Sequence, residues 1–484
     1  MKLLRDLLYG IRLETVVGST AVPIESVSFD SRQVARDGLY IAITGTCSNG
    51  HDFIDDAISR GAKAVVLEHM PAQLSEGVTY VLTPCTREAL ALVAANLYDR
   101  PSEQVQVIGV TGTNGKTTVA TLLYQLFSEL GYASGLLSTI AVYVKDERYL
   151  ASHTTPDPLQ IQRYLAMMRD TGVTYCFMEV SSHGIDQKRT LGINFCGALF
   201  TNLSHDHLDY HGNFLAYRNV KKSWFDTLDK DAFALSNADD KNGSVMLQNT
   251  KAKTGYYSLT SIADYRASVV EMRFDGMLLR IANREFWTQL TGTFNAYNLV
   301  LVYATALELG EDPFQVVAAM SKLTPTPGRL NWVKGTQNRY GIVDFAHTPD
   351  ALQNVLDAIN ALRTHNEQLI TVLGCGGDRD PLKRPKMGSI AASFSSKVII
   401  TSDNPRSEDP QKIADQMLAG VGVQLRSRVF VQLDRAEAIR MAVALSGPGD
   451  LILVAGKGHE SEQIIGDKRI PFSDKDHLSN ALNL

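Results

Sequence analysis

The sequence predicts an α/β protein of three domains, and three observations carry that expectation. Short, β-branched apolar runs alternate with amphipathic stretches along the whole chain. Two polar, proline-containing breaks interrupt the alternation. The length of 484 residues is more than one hydrophobic core holds.

The apolar runs are AKAVVLE (62–68), VQVIGV (105–110), YCFMEV (175–180), GALFTNL (197–203), LITVLG (369–374), KVIITS (397–402) and DLILVAG (450–456). They do not alternate with polar residues, so they suit strands buried on both faces of a parallel sheet. Segments 118–130 and 349–362 have helical spacing. The first break is Tyr98 to Glu103, around Pro101. The second runs from Thr324 to Gly328, where Pro325 and Pro327 forbid regular structure. The expected domains are therefore 1–102, 103–328 and 329–484.

Composition narrows the function. Lys plus Arg is 47 against 52 Asp plus Glu, a net charge of −5 with no basic tract, which argues against a nucleic-acid partner. No apolar run reaches the roughly 18 residues that span a bilayer, so no membrane insertion is expected. The opening MKLLRDLLYGIRLE is broken by Arg5, Asp6 and Arg12 and does not read as a signal peptide. Five cysteines without a CxxC pair read as reduced, mostly buried thiols of a cytoplasmic enzyme. No apolar helix face demands a second copy, so a monomer is expected.

The strongest motif is VIGVTGTNGKTTVATLLYQL. A strand runs into Gly112-Thr113-Asn114-Gly115-Lys116-Thr117-Thr118, and a helix follows. Glycines let backbone N–H groups turn toward phosphate oxygens, Lys116 adds charge, and a threonine hydroxyl suits Mg²⁺. Val110 replaces the first glycine of the longer phosphate-loop pattern. Glu179 closes the next buried run, at a strand end where ligands bind in open sheets. It is a candidate metal ligand or else a solvated strand-end carboxylate. Ser182 beside His183 lacks the glycine of a nucleophile elbow. His205, Asp206, His207, Asp209 and His211 crowd seven residues, one residue out of register with a binuclear metallohydrolase motif. Lys221 and Lys222 read, by charge alone, as a solvated helix face.

Taken in order, GTNGKTT, EVSSHG, TNLSHDHLDYHG, YRNVK, GTFNAYN (292–298), PGR (327–329), DFAHTPDAL (344–352), GCGGDRD (374–380), DNPR (403–406) and AGKGHE (455–460) resemble the Mur ligases of peptidoglycan synthesis over essentially the whole chain. Within that family they resemble the members that add the third amino acid of the peptide stem. The resemblance implies a smaller N-terminal α/β domain that binds UDP-substrate, a central P-loop ATPase-type parallel sheet, and a C-terminal Rossmann-like domain that brings the amino acid. It implies a Mg²⁺- and ATP-dependent amide ligase of cell-wall biogenesis, and hence of cell shape and division. The D-Glu γ-carboxylate of UDP-MurNAc-L-Ala-D-Glu would be activated as an acyl phosphate and attacked by a diamino acid.

The resemblance also assigns residues. Gly112 to Thr118, Asn295, Asn298 and Arg329 would meet ATP. Lys116, Glu179, His207, Lys221 and Asp344 would be catalytic. Thr117, Glu179, His207 and Lys221 would hold the metal, with Lys221 carried as a CO₂-derived carbamate. Lys222 is the alternative by spacing, but Tyr217 sets the register for Lys221. Phe29, Ser31, Thr46, Cys47 and Ser48 would meet the UDP end. His153, Thr154, Thr155, Ser181, Gln187 and Arg189 would meet the sugar-peptide. Phe345 stands where tyrosine is frequent, His205 occupies a position that varies, and Cys47 sits in the UDP-contacting turn.

Asp403, Asn404, Pro405 and Arg406 resemble the meso-diaminopimelate-adding members. The physical reason is that this amino acid carries one carboxylate more than lysine. Arg379 and Arg406 pair well with carboxylates, and lysine would leave a guanidinium unpaired. Glu460 would take the far ammonium and Gly456 would offer a backbone contact. The alternatives are an L-lysine-adding Mur ligase and a metallohydrolase built on the cluster from His205 to His211. A folylpolyglutamate- or cyanophycin-type ligase and a non-catalytic paralogue are two more.

Overall fold

Three large β-sheets follow one another along the chain, with two further two-stranded ribbons, in a computed structural model that describes residues 1–45 and 48–483. Of Asp209 only the backbone is described. Thr46 and Cys47, expected at the UDP end, lie outside the described residues.

The first sheet has five strands, in the order Thr15–Val17, Thr79–Leu82, Ala62–Leu67, Gly38–Ile41 and Ser26–Ser28. All neighbours are parallel except the first pair. The second sheet has eleven strands. Its parallel centre runs Ser134–Leu137, Tyr175–Glu179, Gln106–Thr111, Phe195–Phe200, Phe233–Asn237 and Lys253–Ser258. Antiparallel hairpins extend both edges. The third sheet has six strands, ordered Asn331–Lys334, Tyr340–Asp344, Leu451–Ala455, Leu369–Leu373, Lys397–Ile400 and Val429–Val431. Only its first pair is antiparallel.

The physical reason for the parallel centres is burial on both faces. Val107, Ile108, Val110 and Thr111 are buried, and so is every residue of Tyr175–Glu179 and Leu451–Ala455. Helix Lys116–Glu129 packs on one side of the central sheet with helix Thr293–Glu308. The latter is apolar nearly all round and is enclosed by protein. Helices Pro158–Asp170 and Phe214–Asp226 cover the other side. Four helices begin with a side-chain cap followed by proline: Asp157-Pro158, Asp312-Pro313, Thr348-Pro349 and Asp409-Pro410. The cap oxygen takes an orphan N–H, and proline lacks the N–H that would be orphaned next. Between Met320 and Asn331, where two prolines sit, the chain forms neither helix nor strand.

Topology places the candidate sites. Strands Tyr175–Glu179, Gln106–Thr111 and Phe195–Phe200 are neighbours, so Glu179, the glycine-rich turn and Thr201–Ser204 all leave the same sheet edge. In the third sheet, Asp344, Ala455, Leu373 and Ile400 end side by side. The loops after them carry Phe345, Gly456 to Glu460, Gly374 to Asp380 and Asp403 to Arg406. Open parallel sheets bind ligands at such carboxyl ends.

A fully buried ion pair braces the third sheet. Arg435 Nε and Nη2 donate to Asp474 Oδ1 and Oδ2 at 2.7 and 2.8 Å, and both side chains are inaccessible. Arg435 also donates to the Ala455 and Ser402 carbonyls. Removing one partner strands a charge in the core. Asp474→Ala should therefore lower the unfolding free energy of this region by about 3–5 kcal/mol in urea titrations. Replacing both residues with apolar ones should cost much less.

Candidate functional site

The glycine-rich turn is shaped by what surrounds it. Gly112 has φ +149°, and a Cβ there would lie 1.9 Å from Thr201 Oγ1. Gly115 has φ +89°, and its Cβ would lie 2.7 Å from Asn298 Oδ1. Only glycine fits both places. The turn is fastened to the next strand end. Thr113 N and Asn114 N donate to Asn202 O and Oδ1, while Thr201 Oγ1 and Asn202 Nδ2 donate to Asn114 O. Asn298 Nδ2 donates to Asn295 Oδ1, and Asn295 Nδ2 to Thr291 O, so the two asparagines hold each other beside the turn.

Glu179 is fully buried. It accepts from Thr117 Oγ1 at 3.0 Å and from Thr139 N at 2.7 Å. The bland reading of a solvated strand-end glutamate is thus overturned. Arg329 Nη2 donates to the same Thr117 hydroxyl at 3.2 Å and stacks over Phe345 at 4.8 Å. Lys116 Nζ donates to the carbonyls of Gly112 and Thr113. Burial lowers its pKa, which Glu179 and Asp206 oppose and Arg329 reinforces.

Lys221 and Lys222 part company. Lys221 is 1% exposed and donates to Gly112 O at 2.9 Å and Thr111 Oγ1 at 3.3 Å. Burial, then the charge of Lys116, holds its pKa well below the ordinary lysine value. Lys222 instead pairs with Asp226 at 2.8 Å. A solvated face was the expectation from charge alone, and for Lys221 it fails. Helical geometry separates adjacent residues by about 100°, so one lysine turns inward and the next outward.

The histidine-rich segment is similarly sorted. His207, at φ +54°, stands 3.4 Å from Asp206 Oδ2, with its ring 4.8 Å from His183. Burial pushes its pKa down to about 4 despite Asp206, so the imidazole is neutral and able to bind a cation. Burial would raise Asp206, but the charges of His207, His347 and Lys116 outweigh it and lower the group. His205 is exposed and packs its ring on Phe214 at 5.0 Å. Among the described residues no three His, Cys, Asp or Glu gather as metal ligands. The four described cysteines are free; Cys176 and Cys375 are buried, while Cys85 and Cys196 are only partly so.

Near Glu179, Thr155 Oγ1 donates to the Glu179 carbonyl and accepts from Ser181 N. Ser181 caps the helix Ser182–Asp186. Arg189 donates to Thr155 O and to Gln187 Oε1. Thr154 Oγ1 accepts from Thr139 Oγ1, and His153 lies exposed beside it. These residues and the phosphate turn meet through Glu179. Phe29, Ser31 and Ser48 do not join them: Phe29 and Ser48 are exposed, Ser31 is buried, and no hydrogen bond ties any of them to the central site.

In the third sheet, Arg406 has φ +51°, and its Nη1 donates to Gly377 O at 2.7 Å. A Cβ on Gly376 would stand 3.0 Å from that Nη1 and 3.7 Å from Arg379 Cγ, so both arginines flank one glycine. Burial lowers the Arg406 pKa, and Arg379 adds to the effect. Asn404 Nδ2 donates to Glu460 Oε2 at 2.9 Å. Gly456 sits at φ +116° with its would-be Cβ 2.6 Å from Asp403 Oδ2. Two links join this body to the phosphate turn. One is Arg329; the other is Asp350, which accepts from Asn114 Nδ2 at 2.8 Å and Ser204 Oγ at 2.9 Å. Sequence reasoning missed Asp350, although its helix start HTPDAL was in view; nothing local says what a first-turn carboxylate will meet.

Asp344 accepts from Leu330 N at 2.6 Å, and burial pushes its pKa up to about 6 although Arg329 opposes the shift. An acid with a raised folded pKa binds protons more tightly when folded, so it lowers stability as pH rises from 3.8 to about 6. The gap in unfolding free energy between wild type and Asp344→Asn should thus move toward the variant by about 3 kcal/mol between about pH 4 and pH 7. Denaturant titrations across that range measure it.

Comparisons with known proteins agree with one another. Models described as "Mur ligase family, catalytic domain", "Mur ligase middle domain" and "Mur ligase, glutamate ligase domain" match residues 23–98, 110–306 and 328–458. The UDP-N-acetylmuramoyl-L-alanyl-D-glutamate--2,6-diaminopimelate ligase of Cytophaga hutchinsonii is 47% identical over 473 residues, covering 98% of this chain and 97% of its own. A solved structure of a ligase of that name is 31% identical with a TM-score of 0.68, covering 99% of this chain and 98% of its own. The MurF ligase of Thermotoga maritima in complex with ADP shares the fold, with a TM-score of 0.61 at 18% identity, over 89% of this chain and 93% of its own. On these matches, spread over all three sheets and nearly every residue, the chain belongs to the Mur ligase family.

Proposed function

We propose that this ligase joins meso-diaminopimelate to the D-Glu γ-carboxylate of UDP-MurNAc-L-Ala-D-Glu, with ATP becoming ADP and phosphate, in the cytoplasm and as a monomer. Relatives named for that substrate pair support the reading, as does ADP in the Thermotoga maritima relative. No helix among the described residues is long and apolar enough to cross a membrane. The division proposed is 1–102 for the UDP end, 103–328 for ATP and 329–484 for the amino acid.

One observation carries the choice of amino acid. Arg379 and Arg406 flank Gly376, and the Arg379 charge adds to the burial that disfavours the Arg406 cation. Two like charges held together form a site for a dicarboxylic substrate.

The residues divide the chemistry. A carboxylate is a poor electrophile, so the γ-carboxylate oxygen first bonds to the γ-phosphorus and ADP leaves. The amine then attacks the acyl carbon, phosphate leaves, and the amine loses a proton. Two anions must approach in the first step, so Lys116 and Arg329 screen them in a water-poor pocket. Asn298, at the phosphate turn, and Asn295 serve the nucleotide. Arg189, Thr154, Thr155, Gln187 and His153 hold the peptide, and Phe29, Ser31 and Ser48 its UDP end. Mg²⁺, when bound, would be held by Thr117, Glu179, His207 and Lys221 and would supply positive charge against the phosphates. The donor set suits it, since Thr117 and Glu179 are hydrogen-bonded oxygens and His207 is neutral. Lys221 suits carbamylation, because its lowered pKa leaves an amine able to bond to the carbon of CO₂ and lose a proton. The resulting carboxylate would suit the cation better than an ammonium.

ADP release by the purified chain, with UDP-MurNAc-L-Ala-D-Glu and either diaminopimelate or lysine, tests the proposal. Turnover with diaminopimelate alone is expected; turnover only with lysine, or with neither, refutes it. Arg406→Ala should reduce kcat/KM for diaminopimelate about 100-fold or more and affect lysine far less. Lys221→Ala should cost about 100-fold in kcat, with part of the loss restored by acetate or formate.

A further inference from the structure

Lys457 lies in the amino-acid site without a role in the reading above, on which this inference rests. It is fully buried. Its Nζ donates to Asn404 Oδ1 at 3.0 Å and to Glu460 Oε2 at 2.7 Å. The backbone N–H of Ile464 also donates to Asn404 Oδ1, at 2.9 Å.

These contacts settle which way the Asn404 amide faces. Two donors that cannot accept, an ammonium and a backbone N–H, converge on one amide atom, and that atom has to be oxygen. The nitrogen is then the other end. One of its hydrogens goes to Glu460 Oε2, and the second has no partner among the described residues. Asn404 is 4% exposed, so a wrongly turned amide would set its NH2 against two donors in the interior, costing Ile464 N its acceptor and leaving Lys457 with Glu460 alone. The neighbouring groups are Arg406, a donor, and Glu460, whose Oε2 is already engaged by Lys457 and Asn404.

We propose that Lys457 is a positioning residue for amino-acid specificity: it locks the Asn404 side chain so that an N–H, and not a carbonyl, faces the incoming amino acid beside Arg406. An N–H attracts the extra carboxylate of a diamino dicarboxylic acid, whereas a carbonyl would repel it. The same ammonium fixes Glu460 through Oε2 and leaves Oε1 to face the far amine. Lysine, which lacks the second carboxylate, gains nothing from the locked amide.

The test is steady-state kinetics of the full-length enzyme with ATP, UDP-MurNAc-L-Ala-D-Glu, and either meso-diaminopimelate or L-lysine. Lys457→Met should reduce kcat/KM for diaminopimelate about 10- to 100-fold. The KM values for ATP and for the UDP substrate should stay within about twofold, and the preference for diaminopimelate over lysine should shrink. A merely structural lysine would lower turnover with both amino acids alike, so an unchanged preference overturns the inference. If Lys457→Met does not fold, Asn404→Asp asks the same question, since it replaces the locked donor with an acceptor and keeps Lys457 paired. Its loss should fall far more on diaminopimelate than on lysine, and equal loss overturns the inference. Wild-type enzyme that releases no ADP with either amino acid sinks the substrate reading and this inference together. An active wild type with an unaltered Lys457→Met variant sinks this inference alone.

Discussion

The central site depends on a carboxylate that water cannot reach. Glu179 has no exposed surface, and an isolated charge there would be prohibitively costly. It persists because it accepts from Thr117 and Thr139 and because Lys116 and Arg329 lie close by. Those groups are drawn from three different parts of the chain. Thr117 opens the helix after the phosphate turn, Thr139 follows a neighbouring strand, and Arg329 belongs to the linker. Burying one acid thus organises the turn, the strand edge and the link to the third sheet.

The same arrangement is used twice. In the second and third sheets, parallel strands end together, and their loops place charged side chains where backbone packing leaves room. In the second sheet Lys116, Lys221, His207 and Glu179 gather at that edge. In the third, Arg379 and Arg406 stand beside Asn404 and Glu460. The two ends face each other through Arg329 on Thr117 and Asp350 on Asn114. Those are short polar contacts between bodies that each have their own core, which suits a reaction needing closure and release.

Glycine marks where the backbone itself must come close. Gly328 packs so near the Gly458-His459 peptide that a Cβ would lie 2.1 Å from His459 N. The linker therefore threads against the loop that carries Lys457 and Glu460, directly ahead of Arg329. Movement of the third sheet relative to the second would be felt at both sites at once.

The sequence by itself determined seven buried strands, two helices and the fold class, because burial on both faces leaves an unbroken apolar run and a phosphate turn needs glycines at set spacing. Helix 349–362 was legible to the residue, from its Thr-Pro start and its apolar stripe. It also determined the family, through motifs whose order no single segment could supply. What it left open was direction. Lys221 and Lys222 are chemically alike in the sequence, and only packing of their helix against Gln106–Thr111 sends one to the core and one to Asp226. Glu179 could have been solvated until neighbouring strands enclosed it. Nothing in the sequence singles out Asp350 or Lys457, whose partners Asn114 and Asn404 lie 236 and 53 residues away. Such pairings depend on which loops share a sheet edge, and tertiary structure alone decides that.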